Sequence, residues 1–298
     1  MESIERLQRR IDTLGELHGV VRTMKALSAV SIRQYEHASQ SLAEYYRTVE
    51  LGMHVVLKEM EALPALTDDP GESRILAAIV FGSDHGLCGR FNEEIVTRAL
   101  QRLNASAAGP ENCLLVSVGS RVTARLEHAG HSVEQDYQLP GSADRITTTV
   151  QQILRKIDEW RSQDAIRYVY IFYNHHLGSG GYRPTEVQLL PVDLRHFQRL
   201  EEAPWPSRGL PTFSMNRKRL FAALLRQYLF VSIFRACAES QASEHASRLG
   251  AMQSAEKNIG EKLEEISTRY RRRRQEAITT ELLDVVSGFE AVTAEDYR

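Results

Sequence analysis

Apolar residues open the chain in a regular rhythm. Ile4, Leu7, Ile11 and Leu14 are spaced three and four apart, and the phase runs on through Val21, Ile32, Tyr35, Leu42, Tyr46, Val49, Met53, Val56 and Met60. No proline stands between residues 3 and 60, so the pattern predicts one helix of ~60 residues, roughly 90 Å long. Polar residues at the seam positions His18, Lys25, Ser28 and Ser39 weaken the stripe in its middle. The far end of the chain repeats the design. After Pro211 there is no proline, and Met252, Ile259, Leu263, Ile266, Tyr270 and Ala277 follow the same spacing before a second phase at Ile278, Leu282, Val285 and Phe289. A helix over residues 214–298 would extend on the order of 120 Å. Neither stripe can be buried by its own helix, which predicts that the two wrap around one another as an antiparallel coiled coil.

The two arms are unequal. The C-terminal one outruns the other by about twenty residues at helical rise, and its last turns carry Leu282, Leu283, Val285, Val286, Phe289 and Val292. An apolar tip without an intramolecular partner is an aggregation hazard. It calls for a sleeve supplied by another protein, or else a tip that folds back on the middle of the chain.

Between the arms the period changes. Asp68-Asp69-Pro70-Gly71 is a break. Residues 75–81 then form a continuous apolar run, the mark of a strand buried on both faces. Helix is expected over 91–103, strand over 113–118, helix over 121–129, a short strand over 131–137, and helix over 143–161. Strands are expected again over 168–174 and 185–190. Such alternation predicts a mostly parallel sheet with helices on it. The expected fold class is therefore α/β, a long antiparallel coiled coil of the N- and C-terminal helices with an inserted Rossmann-like α/β domain. Its parts are an N-terminal helix over 1–66, the insert over 72–195, a connecting loop over 196–213 and a C-terminal helix over 214–298.

Composition narrows the function classes. A formal charge of −2 over 298 residues argues against a general nucleic-acid or membrane-surface binder. Charge is local instead, in the block formed by Arg269 and Arg271 to Arg274. Successive helical residues turn by about 100°, so these arginines ring the helix, either as a solvated face or as a stretch surrounded by acidic or polar loops of a partner. The three cysteines, Cys88, Cys113 and Cys237, have no metal or disulfide spacing and fit a reducing compartment. No run of 18 apolar residues predicts a membrane span, and the first residues lack an apolar signal core, so a cytoplasmic location is expected.

Chemistry has one candidate place. Residues 82–92, Gly-Ser-Asp-His-Gly-Leu-Cys-Gly-Arg-Phe-Asn, follow a strand and open a helix, where glycine-rich turns cradle phosphate. The glycine spacing is neither a P-loop nor a dinucleotide fingerprint. Cys88 with His85 three residues earlier allows a nucleophile reading, against a structural one in which the glycines make a tight turn and Cys88 packs. His175-His176 and the His128/His131 pair lack the carboxylate or thiol company of a metal site and read as ordinary surface or loop histidines.

Three stretches carry a resemblance. Ala242-Ser-Glu-His-Ala-Ser-Arg-Leu-Gly-Ala-Met252, followed by Arg274-Gln-Glu-Ala-Ile-Thr-Thr-Glu-Leu282, resembles the C-terminal signature of the gamma subunit of F-type ATP synthases. Met24-Lys-Ala-Leu-Ser-Ala29 resembles that family's N-terminal Met-Lys-Met-Val-Ser-Ala, and Ser83 to Asn92 its Asp-Arg-Gly-Leu-Cys-Gly-Gly-Phe-Asn. His85 and Arg90 depart from the usual arginine and glycine there, and Gly250 and Ser31 are also unusual in their motifs. The resemblance therefore implies a divergent branch, and without the chloroplast members' cysteine insertion a bacterial one is expected.

The resemblance implies a central rotor shaft with no chemistry of its own and no cofactor. It would be peripheral to the cytoplasmic face of a bacterial plasma membrane. The coil would turn inside a ring of alpha and beta subunits, and the insert would sit on the c-ring with the epsilon subunit. By motif position, Arg274 and Gln275 would meet the beta-subunit catch loop, and Arg248, Met24 and Lys25 would line the neck. Leu282, Val285, Val286 and Phe289 would turn in the apolar bearing. Two other readings of the residues stand beside this one: a Rossmann-like enzyme dimerised by helical arms, and a non-rotary coiled-coil scaffold.

Overall fold

The computed structural model describes residues 3–58, 75–105, 113–163, 166, 168–178, 181–192 and 212–296, with the side chains of 288–296 outside that description. Its helices are α1 (Ile4–Ser41), α2 (Ala43–Lys58), α3 (Phe91–Ala105), α4 (Ser120–His128), α5 (Ile146–Gln163) and α6 (Arg217–Asp296). Its strands are β1 (Leu76–Phe81), β2 (Cys113–Val118), β3 (Gln135–Tyr137), β4 (Tyr168–His176) and β5 (Tyr182–Leu190). The chain divides into two compact units, one made of the residues up to Leu27 with those from Ala251 onward, the other of Ser28–Gly250.

In the first unit two helices share one seam. On α1 the buried and half-buried positions include Ile4, Leu7, Ile11, Leu14, His18, Val21 and Lys25, and on α6 they include Met252, Glu256, Ile259, Leu263, Ile266, Tyr270, Arg273 and Ala277. Both sets step by three and four, the heptad spacing that keeps a seam facing its partner. The polar seam positions are paired rather than vacant. Lys25 forms an ion pair with Glu256, and its hydrogen bond, helped by the charges of His18 and Arg22, holds that carboxyl below its ordinary range. Glu265 is likewise lowered, by its hydrogen bond with Lys262 first, then by the charge of Arg269 and, across the seam, that of Arg10. Low numbers on α1 therefore meet high numbers on α6, and the pair is antiparallel.

Within the second unit the N- and C-terminal segments also run antiparallel. Tyr35 stacks on His245 with ring centroids 5.6 Å apart, Tyr46 meets Tyr228 at 5.8 Å, and Gly52 lies so close to Leu224 that a Cβ would come within 3.0 Å of its Cδ2. The single N-terminal helix expected from periodicity is interrupted here: Leu42 separates α1 from α2. Ser41 donates its hydroxyl to the carbonyl of His37 at 2.8 Å, a back-bond of the kind that bends helices, and Leu42 packs against the core of the sheet. At the other junction Asn216 accepts from the backbone N–H groups of Lys218 and Arg219 at 3.0 and 3.4 Å. This cap starts α6 at Arg217 rather than at 214. The connecting loop expected over 196–213 lies outside the described residues except for its last two.

The sheet runs β3-β2-β1-β4-β5, parallel except for the antiparallel β4–β5 pair. β1 is buried at all six positions, because both faces are covered. Ala77, Ile79 and Phe81 join a core with α5, α2 and the first half of α6, while Leu76, Ala78 and Val80 join one with α3 and α4. An 18-residue window of α6 with mean hydropathy 1.4 is long and apolar enough to cross a membrane, which run length alone did not reveal. Phe221, Leu225, Leu229, Ile233 and Phe234 of that helix are buried in the sheet's core, the composition of a core helix.

Candidate functional site

The 82–92 turn is built by close approach. Gly82 lies where a Cβ would come within 2.4 Å of Val122, and Gly119, at φ 115°, where one would come within 2.9 Å of the Ser83 backbone. Asn92 closes the turn: its Oδ1 accepts from the Ser83 N–H at 2.9 Å and its amide donates to Ser83 Oγ at 2.7 Å. Cys88 is 2% exposed, its sulfur 3.6 Å from both Ser83 Oγ and Asn92 Nδ2. Burial pushes its thiol up from the ordinary value, Ser83 pulling weakly the other way, which is the reverse of an activated nucleophile. His85, its supposed base, is exposed.

The anion places at this edge of the sheet are occupied by the chain's own carboxylates. Asp84 Oδ1 accepts from the N–H of Ser120, the first residue of α4, and Oδ2 from that of Leu139, each at 2.9 Å. The first turn of α3 carries Glu93 and Glu94. A helix N-terminus already facing negative charge does not recruit a phosphate. A groove of about 500 Å³ between α5 and α6, lined by Thr147, Gln151, Leu154, Arg155, Arg226, Gln227 and Phe230, carries no carboxylate, thiol or imidazole. The buried, raised Cys88 thiol and the filled helix N-termini count against the 82–92 turn as the active site that the Rossmann-like enzyme reading needs.

What the turn does instead is hold α6. Ser243, Glu244, Ser247 and Arg248 share one helical face. Ser243 donates to the carbonyl of Asn174 at 2.8 Å, Asn174 to that of Phe91 at 3.0 Å, and Ser247 to that of Cys88 at 2.6 Å. Arg248 Nη2 lies 2.7 Å from Glu244 Oε1 and 3.4 Å from the carbonyls of His85 and Gly86. The central motif and the C-terminal signature thus bind one another. Burial pushes the Glu244 carboxyl up, against the pull of Arg248. Burial, with Arg248 adding to it, lowers His245 to about 4.

The expected contact residues separate by exposure. Arg248 is buried, its side chain 8% exposed, so whatever it does for a partner passes through the turn it touches. Met24 and Lys25 are half-buried on α1. In the arginine block, Arg269 pairs with Glu265, Arg271 with Thr268 and the Ser267 carbonyl, and Arg272 and Arg273 with Glu276. Arg274 and Gln275 are exposed, and among the described residues neither side chain has a partner, although Thr279 donates its hydroxyl to the Gln275 carbonyl at 2.9 Å. Leu282, Leu283, Val285 and Val286 are 61, 60, 69 and 53% exposed; the side chain of Phe289 lies outside the described residues.

The histidines of β4 differ from expectation. His175 has Glu239 at 2.5 Å and His176 has Glu36 at 2.9 Å, so each finds a carboxylate after all, supplied by a helix far away in sequence. They tie the sheet to α6 and α1. The only sequence signal for any of these partners was helical spacing: 243, 244, 247 and 248 fall on one face, and nothing local says what that face meets.

A family model described as ATP synthase matches residues 3–292. The chain is 26% identical over 305 residues to the ATP synthase gamma chain of Zymomonas mobilis, covering 98% of this chain and 100% of that one. It is 28% identical over 298 residues to that of Anaeromyxobacter dehalogenans, with the same coverage. Among solved structures it is similar to a chain of the Euglena gracilis mitochondrial ATP synthase rotor (TM-score 0.62, 17% identity, 92% of this chain and 98% of that one). It is also similar to one from the Tetrahymena thermophila mitochondrial central stalk and c-ring (TM-score 0.55, 19% identity, 79% and 99%).

Proposed function

This chain belongs to the family of ATP synthase gamma chains, and on that premise we propose that its paired helices are the shaft through which ion-driven rotation reaches nucleotide sites carried by other subunits. As a gamma subunit it is a non-catalytic part of the central stalk. The observation that carries the mechanical reading is the row Leu282, Leu283, Val285 and Val286. These side chains are more than half exposed at the end of a helix whose earlier turns are seamed to α1. A free chain gains nothing from such a row; a sleeve of subunits around it does. Arg274 and Gln275, whose side chains are exposed and unengaged among the described residues, are the residues this reading gives to a catch loop on the beta subunit, with Met24 and Lys25 at the neck.

The solved neighbours come from rotor and from central stalk and c-ring assemblies, which supports an α/β domain seated toward a c-ring. An epsilon subunit beside it, and a position on the cytoplasmic face of a bacterial plasma membrane, complete the proposal. An asymmetric shaft inside a threefold ring presents a different face to each site, which is how one rotation sets three sites in three states. Co-purification tests the reading. The tagged chain is expected to bring down alpha and beta subunits and to restore ATP turnover to them, while turning over nothing alone. A chain that self-associates without them would favour the scaffold reading.

A further inference from the structure

Between the edge of the sheet and the helices α2 and α6 lies a pocket of about 260 Å³. Its floor is three cross-strand pairs of β4 and β5 that share one face of the sheet: Ile171 with Val187, Tyr173 with Thr185, and His175 with Arg183. Its wall is a row on α6, Tyr228, Ser232 and Arg235. Floor and wall each pass from an apolar or aromatic position through a hydroxyl to a cation. The cationic ends coincide, because Glu239 of α6 holds both Arg235 Nε, at 2.7 Å, and His175 Nδ1, at 2.5 Å. The apolar ends meet under Tyr46 of α2, whose ring centroid lies 5.8 Å from that of Tyr228.

The cationic end offers donors and no acceptor of negative charge. No carboxylate lines the pocket among the described residues. Glu239 is buried behind it, and Glu50 is bonded to Tyr46. Arg235 gives Glu239 only its Nε, which leaves both terminal nitrogens of the guanidinium for a ligand. Arg183 is exposed, and among the described residues no hydrogen bond or ion pair engages its side chain. Burial, then the Glu239 charge, push the Tyr173 hydroxyl up to about 12, while Arg235 and Arg183 pull the other way. The hydroxyl therefore stays protonated, and both guanidiniums are close enough to act on it.

We propose that this pocket binds a small organic anion, with its carboxylate between Arg183 and Arg235 and its apolar body along Ile171, Val187 and the rings of Tyr46 and Tyr228. A guanidinium fork matches a carboxylate in shape as well as charge. An inorganic anion would leave the aromatic end unused, and a neutral molecule would leave the cations unpaired. The volume falls short of the ~300 Å³ at which pockets begin to hold drug-sized ligands, so the ligand is an aryl or branched-alkyl acid rather than a nucleotide. Bound there, it ties the edge strand β5 to α2 and α6. The proposal goes beyond the gamma-chain reading and does not depend on it.

The test titrates the full free chain with phenylacetate and isovalerate, followed by ligand-observed NMR, beside phenylacetamide and inorganic phosphate. Phenylacetate is expected to bind about tenfold or more tightly than its amide, the factor that a hydrogen bond to a charged group supplies, and more tightly than phosphate. Isovalerate should compete with it. Arg183→Gln removes the cation that has no internal partner. Its urea midpoint should match wild type, since exposed changes cost little, while its affinity for phenylacetate falls to that for the amide. Ser232→Leu fills the middle of the pocket and should weaken acid and amide alike. Five results each overturn the proposal: no saturable binding of either acid, an amide that binds as well as phenylacetate, phosphate that matches or displaces it, wild-type affinity in Arg183→Gln, or loss of acid binding in the reconstituted complex, which would give the pocket's mouth to a partner subunit.

Discussion

Ser247 donates its hydroxyl to the carbonyl oxygen of Cys88 at 2.6 Å, across 159 positions of sequence. The bond joins two of the three stretches that resemble gamma subunits, and it uses the backbone of Cys88 rather than its sulfur. The thiol faces inward to Ser83 and Asn92, and burial raises its pKa. Cys88→Ala is therefore expected to leave ATP turnover of the assembled complex nearly unchanged. In the native free chain, Cys88 should react with a disulfide reagent far more slowly than in urea, since the thiolate is the reactive form. A hundredfold loss of turnover with assembly intact would revive the enzyme reading.

Asp84 carries more of the turn's stability than its place in a loop suggests. Its carboxylate satisfies the N–H groups of Ser120 and Leu139 at 2.9 Å each, one of them at the start of a helix. Asp84→Ala is expected to cost about 1–3 kcal/mol, the range for a lost cap plus a stranded donor. Asp84→Asn should cost less, because one acceptor survives. Urea midpoints of the free chain decide it, and equal midpoints for Asp84→Ala and wild type would show that water replaces the carboxylate at no loss.

His245 gives the chain an acid-side weakness. Burial, with the Arg248 charge adding to it, lowers its folded pKa to about 4, against an ordinary 6.5. A depressed pKa contributes stability that is present above the unfolded value and lost as pH falls toward the folded one. Between pH 8 and pH 5 this loss is on the order of 2 kcal/mol. The groups facing it are Arg248 and the ring of Tyr35, while the neighbouring Glu244, raised by burial, titrates in the opposite sense. His245→Phe keeps the stack and removes the titration. Urea unfolding of both chains at pH 8 and pH 5 is expected to show the variant losing less, by roughly that amount. Parallel losses would mean that His245 is solvated enough to protonate freely.

Periodicity made the helices and the inner strands legible. The run at β1 announced burial on both faces, and the positions Ile4, Leu7, Ile11 and Leu14 announced a seam, because each depends on a repeat inside one segment. The interruption at Leu42 did not show, since a serine back-bond leaves no mark in a hydrophobic pattern. His175 and His176 read as unaccompanied because their carboxylates, Glu239 and Glu36, lie 64 and 140 positions away. Arg248 carried its motif but not its direction. A charged residue in a signature reads as a surface contact, and only the fold shows it turned inward against Glu244. Lys25 is the converse, a polar residue that weakened the predicted seam and is paired across it with Glu256.

Arg274 and Gln275 are where the block of arginines stops being self-sufficient. Arg269, Arg271, Arg272 and Arg273 are each engaged within the helix, whereas the side chains of Arg274 and Gln275 are exposed and have no partner among the described residues. Replacing both by alanine should leave the free chain as helical as before, because exposed changes usually cost within about 0.5 kcal/mol and alanine favours helix. In the complex the expectation is different. A hydrogen bond to a charged group is worth ~1.5–3 kcal/mol. If it forms only at the shaft angle that advances a catalytic site, its loss enters the rate as about a ten- to hundredfold drop in ATP turnover. Circular dichroism of the free chain and the ATPase rate of the reconstituted complex are the two measurements. A drop in both would assign the residues to folding. Unchanged turnover would make Arg274 a solvated end of the block and move the catch-loop contact elsewhere on α6.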